Sequence, residues 1–169
     1  MEYISEYLTD YFFKQTYKKY QQIPNIKSKN YNDEIRMRII EKTIARIIMD
    51  NPHPNVVKIY SINNDFIEME YVDTKYLIVP NVIDLLEAKK FFQSKGIVYI
   101  DWKYDNIGLG TDGKFKVFDF DCAGLVDPTN PDNWIFEPVN YYAYRDAISN
   151  GYSKPFDIDD YCFVKEFAK

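Results

Sequence analysis

A chain of 169 residues with a formal net charge of −5 has room for one domain or two small lobes around a cleft, and its charge argues against a general polyanion binder, nucleic acid included. Hydrophobic residues make up 46% of it, enough for a core without disulfides, and the two cysteines, Cys122 and Cys162, show no metal-ligand spacing, which points to reduced thiols in a cytosolic setting. No apolar run approaches the ~18–20 residues needed to span a bilayer, and MEYISEYLTD at the start lacks the basic-plus-apolar pattern of a signal segment.

Tyr3, Ile4, Tyr7, Leu8, Tyr11 and Phe12 recur at spacings of three and four, which predicts a helix over residues 1–22, although Tyr and Phe build strands as readily. A polar connection over 24–32 follows. The clearest helix runs over 33–50, capped by Asn32 or Asp33, with Ile35, Ile39, Ile40, Ile44, Ile47 and Ile48 at helical spacing. Asn51-Pro52-His53-Pro54 ends it. Two strands are expected over 56–62 and 66–72, joined by an Asn63-Asn64-Asp65 turn. Residues 73–80 cross to a second helix over 81–95, for which Gly96 is the C′ residue. After a hairpin described next, 127–133 reads as a Pro/Asp/Asn-rich loop, a short helix falls around 141–148, and 155–169 ends in an apolar helix.

The hairpin organises the rest. Its strands lie around Gly108–Leu109 and over 115–120, and Thr111-Asp112-Gly113 supplies the positive φ that a tight turn needs. Folding it back brings Asp101 and Asn106, before the first strand, toward Asp119 and Asp121 at the end of the second. Two carboxylates and an amide at one point make an oxygen-rich site that suits Mg²⁺. A divalent cation would also relieve the repulsion among the acidic groups.

These segments resemble the eukaryotic-type protein kinase superfamily. Tyr99-Ile100-Asp101-Trp102-Lys103-Tyr104-Asp105-Asn106 is similar to the kinase catalytic loop H-R-D-L-K-x-x-N, and Asp119-Phe120-Asp121 stands where that family has D-F-G. His53-Pro54-Asn55-Val56-Val57-Lys58-Ile59-Tyr60 resembles the opening of its fourth strand. Met69-Glu70-Tyr71-Val72 resembles its fifth strand and hinge. Lys154-Pro155-Phe156-Asp157-Ile158 resembles the start of the helix whose Asp anchors the catalytic loop. The resemblance implies an α+β, reduced two-lobed kinase-like fold in a single domain over 1–169. It would have a small strand-and-helix N-lobe over 1–72, a hinge over 73–80 and a truncated, mainly helical C-lobe over 81–169. It implies that Asp101 receives the acceptor's proton, that Lys103 neutralises the transferring phosphoryl group, and that Asn106 and Asp119, with Asp121, hold Mg²⁺ (or Mn²⁺) across the phosphates of ATP. Met69, Glu70 and Tyr71 would line the nucleotide site. Glu41 would pair with the phosphate-gripping lysine, for which Lys27 is the first candidate and Lys29 the second. Asp157 would be the buried anchor of the catalytic loop, Tyr99 and Trp102 packing residues, and Cys122 a small buried residue.

The departures are as specific as the matches. No Gly precedes Gly96, so no glycine-rich loop covers the phosphates. Tyr99 and Ile100 replace the His-Arg of the catalytic loop, which removes the usual partner of a phosphorylated activation segment. Asp121 replaces a Gly and looks like the aminoglycoside and choline kinase branch. The chain ends within the anchoring helix. The functional expectation is a minimal Ser/Thr protein kinase that uses Mg-ATP on a protein substrate. The alternatives are a pseudokinase-like module that binds a partner kinase, and a small-molecule kinase. Abundant Ile, Lys, Asn and Tyr match an AT-rich genome, which suggests a viral or parasite source and a cytoplasmic location, the host's if viral.

Overall fold

The computed structural model describes residues 16–21, 24, 26–139 and 141–168. The chain is α+β. Strand β1 (Thr16–Tyr20) is followed by helix α1 (Tyr31–Asp50), strands β2 (Ile59–Ile62) and β3 (Phe66–Glu70), and helix α2 (Val82–Ser94). Strands β4 (Ile97–Val98), β5 (Ile107–Leu109), β6 (Phe115–Val117), β7 (Gly124–Asp127) and β8 (Asn130–Phe136) come next, then helices α3 (Tyr142–Ser149) and α4 (Pro155–Phe167). The first sheet has the order β1-β3-β2, the second β4-β7-β8, and β5 pairs with β6 alone.

Helix α1 packs on β2 through one face, burying Ile40, Ile44, Ala45 and Ile48 at helical spacing, with Glu41 on the same buried face. The helix begins at Tyr31 after Asn30, so the cap lies slightly ahead of the Asn32 or Asp33 expected. Helix α2 is capped as its sequence asks: the Asn81 side chain accepts from Ile83 N at 2.9 Å. Gly96 ends it at φ +75°, and a Cβ there would meet Val126 O at 2.0 Å, so both backbone and space require glycine. Gly113 takes φ +79° in the β5–β6 turn.

Two expectations are corrected. Residues 16–20, placed in a helix by their three-and-four spacing, form strand β1, antiparallel to β3 from Thr16↔Glu70 to Tyr20↔Phe66. Thr and Tyr fit a pleated surface, and pairing with a distant strand outweighs local periodicity. The remainder of the helix expected over 1–22 lies mostly outside the described residues. The loop expected over 127–133 is instead the end of β7, a short turn at 128–129 and the start of β8, with Asp127 Oδ1 accepting from Thr129 N at 2.9 Å and Thr129 Oγ1 at 2.7 Å. The turn residues marked the reversal, but the pairing around it is irregular and left no clean alternation.

The two halves meet at a short connection. Asp73 and Leu109 exchange backbone hydrogen bonds of 2.9 and 2.8 Å, which ties the segment after β3 to β5. Glu70 accepts from Lys58 N at 2.9 Å and pairs with the buried Lys116 ammonium of β6 at 3.3 Å. Below them Phe92, Tyr99, Trp102, Phe120 and Phe163 form an aromatic core, with Tyr99 stacked on Phe92 at 5.2 Å and 4.6 Å from Trp102.

The anchor of the loop after β4 is Asp159, not Asp157. Asp159 is fully buried and accepts from Ile100 N at 2.9 Å and Trp102 Nε1 at 2.7 Å, whereas Asp157 is exposed on the first turn of α4. Burial pushes the Asp159 carboxyl above its ordinary range against the pull of these hydrogen bonds. Asp159→Ala orphans two buried donors and is expected to cost at least ~2 kcal/mol in urea unfolding. Asp157→Ala should cost less than ~1 kcal/mol, and the reverse order would assign the anchor to Asp157.

Candidate active site

A single ammonium group gathers the site. Strand alternation puts Tyr17 and Lys19 on the same face of β1, and both line the cleft behind it. Lys19 Nζ lies 2.8 Å from Glu41 Oε2 of α1 and 2.8 Å from Asp119 Oδ1 after β6, with Asp121 Oδ2 at 3.8 Å. Gln21 Nε2 donates to the other Glu41 oxygen at 2.8 Å. Burial alone would lower the Lys19 pKa, but the three carboxylates outweigh it and hold the ammonium charged, well above its ordinary value. Burial raises Glu41 despite the pull of Lys19. Burial also opposes ionisation of Asp119, yet Lys19 holds that carboxyl below the ordinary range. Asp121 is raised, by burial and by Asp119 beside it.

This geometry corrects the choice of lysine. Glu41 pairs with Lys19, while Lys27 and Lys29 lie exposed in the turn before α1. Reading 16–20 as a helix hid the alternation that points Lys19 inward. Gln21, Asp159 and Tyr141 also escaped the sequence reading. A strand reading of Tyr17-Lys18-Lys19-Tyr20 would have carried the signal for Lys19.

The loop after β4 supplies the second cluster. Asp101 is buried, and Asn106 Nδ2 donates to its Oδ2 at 2.8 Å and its backbone O at 3.0 Å. Lys103 Nζ lies 3.3 Å from Asp101 Oδ1. Burial would lower Lys103, but Asp101 and Tyr141 keep it above its ordinary value. Ile100 stands at φ +66°, a region that disfavours a β-branched residue, and Asp119 at φ +67°. The bond from Ile100 N to Asp159 holds the first of these in place. Tyr99, fully buried, donates its hydroxyl to Phe118 O and so ties the loop to the end of β6. Burial pushes that phenol far above its ordinary value, which suits packing and excludes acid-base work.

Between the Lys19 cluster and the segment after β3 lies a cavity of about 330 Å³. Ala45, Val57, Ile59, Ile67, Met69 and Phe118 make it mainly apolar, and Lys19, Glu41 and Asp119 stand in its wall. Met69, Glu70 and Tyr71 all line it, together with Val72 and Thr74. The Glu70 carboxylate is taken by Lys58 N and Lys116.

Asp121 belongs to two groups of potential ligands, one with Glu41 and Asp119 and one with Asp101 and Cys122, each within 4.8 Å. The carboxylate oxygens of Asp119 and Asp121, 4.8 Å or less apart, are donors of the kind a hard cation such as Mg²⁺ takes, whereas the Asn106 amide is turned to Asp101. The Cys122 thiol is not such a donor, since burial and Asp121 push it well above its ordinary value.

No family model matches the chain. It is 27% identical over 141 residues to the serine/threonine-protein kinase CST20 of Candida albicans, covering 73% of this chain and 11% of that protein. It is 39% identical over 51 residues to the mitogen-activated protein kinase kinase kinase 17 of Arabidopsis thaliana, covering 30% of this chain and 14% of that one. It is 28% identical over 120 residues to the serine/threonine-protein kinase pak-1 of Caenorhabditis elegans, covering 61% and 21%. The chain therefore spans between a tenth and about a fifth of the length of these relatives. They support a distant likeness to the kinase-like superfamily, with which the α+β architecture is compatible. They lend no support to the aminoglycoside and choline branch suggested by Asp121. No described helix is long and apolar enough to cross a membrane.

Both cysteines sit in environments that keep them protonated, Cys162 pushed up to about 12 chiefly by burial and Cys122 also raised. Alkylation by iodoacetamide at pH 8 should be at least ~100-fold slower in the folded chain than after unfolding. Prompt labelling of either thiol in the folded chain would contradict this environment.

Proposed function

We propose that the chain is an ATP-dependent phosphotransferase that uses Mg-ATP on a Ser or Thr hydroxyl of a protein substrate. The observation that carries this reading is the Lys19 ammonium held between Glu41 and Asp119 at 2.8 Å from each, in the wall of an apolar cavity. A cation there can grip nucleotide phosphates while the apolar cavity receives the base. The distant likeness to serine/threonine-protein kinases supports the same chemistry.

In this mechanism the adenine lies against Met69 and the backbone at Tyr71 and Val72. Lys19 holds the phosphates, kept in place by Glu41. Asn106, Asp119 and Asp121 would hold the Mg²⁺, with Mn²⁺ as a substitute, and the ion would supply positive charge that offsets the phosphates. Asp101 orients the acceptor hydroxyl and takes its proton as the oxygen–phosphorus bond forms. Lys103 balances charge on the moving phosphoryl group while the bond to the β-phosphate breaks and ADP leaves.

A second reading, a partner-binding module without turnover, is favoured by one observation: the sequence has no glycine before Gly96 to bring backbone amides against phosphates. Thermal melting separates the two. Mg-ATP at tenfold over its Kd should raise the melting temperature by about 3–6 °C. Asp119→Ala should remove that shift. Asp101→Asn should keep it while lowering phosphate transfer by at least ~100-fold. No shift at millimolar nucleotide would leave only the binding module.

A further inference from the structure

One side chain outside the residues assigned above stands at the acceptor position. Tyr141, immediately before α3, has the Asp101 carboxylate and the Lys103 ammonium as its charged neighbours. Lys103 Nζ is 5.9 Å from the Tyr141 ring centroid and 3.3 Å from Asp101 Oδ1. Asn106 holds the other Asp101 oxygen at 2.8 Å, so Oδ1 is the oxygen on the side of Lys103, next to which the Tyr141 ring stands.

The segment that delivers the phenol is ordered at several points. Arg36 of α1 donates to Glu137 O at 2.8 Å, and the Tyr144 hydroxyl donates to Glu137 Oε1 at 2.6 Å. The Tyr141 carbonyl accepts from Arg145 N at 3.0 Å and so starts α3. Burial and Asp101 push the phenol up to about 12, which keeps its proton in place. The phosphate-side cluster is close by. Asp121 lies within 4.8 Å of the Asp101 group on one side and of the Glu41 and Asp119 group on the other.

We infer that Tyr141 is an intramolecular phosphoryl acceptor, modified by the chain's own active site. This inference rests on the phosphotransferase reading. In the step, a bond forms between Tyr141 Oη and the γ-phosphorus of ATP. The bond from that phosphorus to the bridging oxygen breaks, and ADP leaves with the electron pair. The phenol proton passes to Asp101 and then to solvent. The resulting phosphate dianion is repelled by Asp101, so transfer itself drives the side chain out and opens the acceptor position to another hydroxyl.

The test incubates the full chain with Mg-ATP carrying a labelled γ-phosphate, maps label by peptide mass spectrometry, and follows ADP release and nucleotide-dependent melting in parallel. Label is expected on Tyr141, at a rate independent of protein concentration. Tyr141→Phe should lower label more than tenfold while retaining the melting shift. Asp101→Asn, which leaves Tyr141 in place, should lower it as far, so that the result does not hang on one variant. ADP release or a melting shift without label on Tyr141 would overturn the inference and leave the phosphotransferase reading standing. Faster external turnover by Tyr141→Phe with no label in the unaltered chain would make the phenol a plug and overturn it likewise. A labelling rate that rises with protein concentration would overturn the intramolecular step. Absence of both ADP release and a melting shift would remove the phosphotransferase reading and this inference with it.

Discussion

The structure depends on one cation among three carboxylates. Glu41 is buried on the apolar face of α1, and Asp119 and Asp121 crowd against it. Without Lys19 these groups would repel one another, and Glu41 would be an unpaired buried charge. Removing one partner of such a pair typically costs about 3–5 kcal/mol. The same ammonium joins three parts of the chain, β1, α1 and the segment after β6, of which the last lies 100 positions from Lys19. The site therefore exists only when the first sheet, its helix and the β5–β6 hairpin are all in place.

The second cluster rests on a different device. Asp159 reaches up from α4 to the backbone of Ile100 and the indole of Trp102, and Tyr99 reaches across to Phe118 O. These bonds hold Ile100 in a left-handed conformation that its side chain disfavours. The result is a rigid turn that offers Asp101, Lys103 and Asn106 on one side. An aromatic stack of Phe92, Tyr99 and Trp102 supports it from below. Tyr99 and Ile100, which stand where the kinase motif resembled here has His-Arg, thus take structural roles: a packed ring with a polar tip, and an apolar residue pinned by its N–H.

Much of this was legible in the sequence, for identifiable reasons. Helices α1 and α2 announce themselves through long apolar spacing and clean stop signals at Asn51-Pro52 and Gly96. The β5–β6 hairpin is marked by Asp112-Gly113, and folding it back leaves Asp121 within 4.8 Å of Asp101. Strand β1 was not legible, because five residues rich in Tyr and Lys carry either period and only pairing with β3 decides. Lys19 was lost with it, and Lys27 took its place as the first candidate to pair with Glu41. Asp157 and Asp159 sit two apart on one helix, about 200° round its axis from one another, and no local signal says which carboxylate faces the core. Tyr141 carries no motif. Its position follows from the path of β7 and β8, whose irregular pairing the composition of 127–133 concealed.

The central claim is that the Lys19-centred cluster is a nucleotide-phosphate site. Calorimetric titration of Mg-ATP into the unaltered chain, Lys19→Met and Lys27→Met tests it most directly. The claim expects Lys19→Met to weaken binding at least tenfold, or about 1.4 kcal/mol, with Lys27→Met close to the unaltered chain. Equal binding by Lys19→Met, or a loss confined to Lys27→Met, would contradict it.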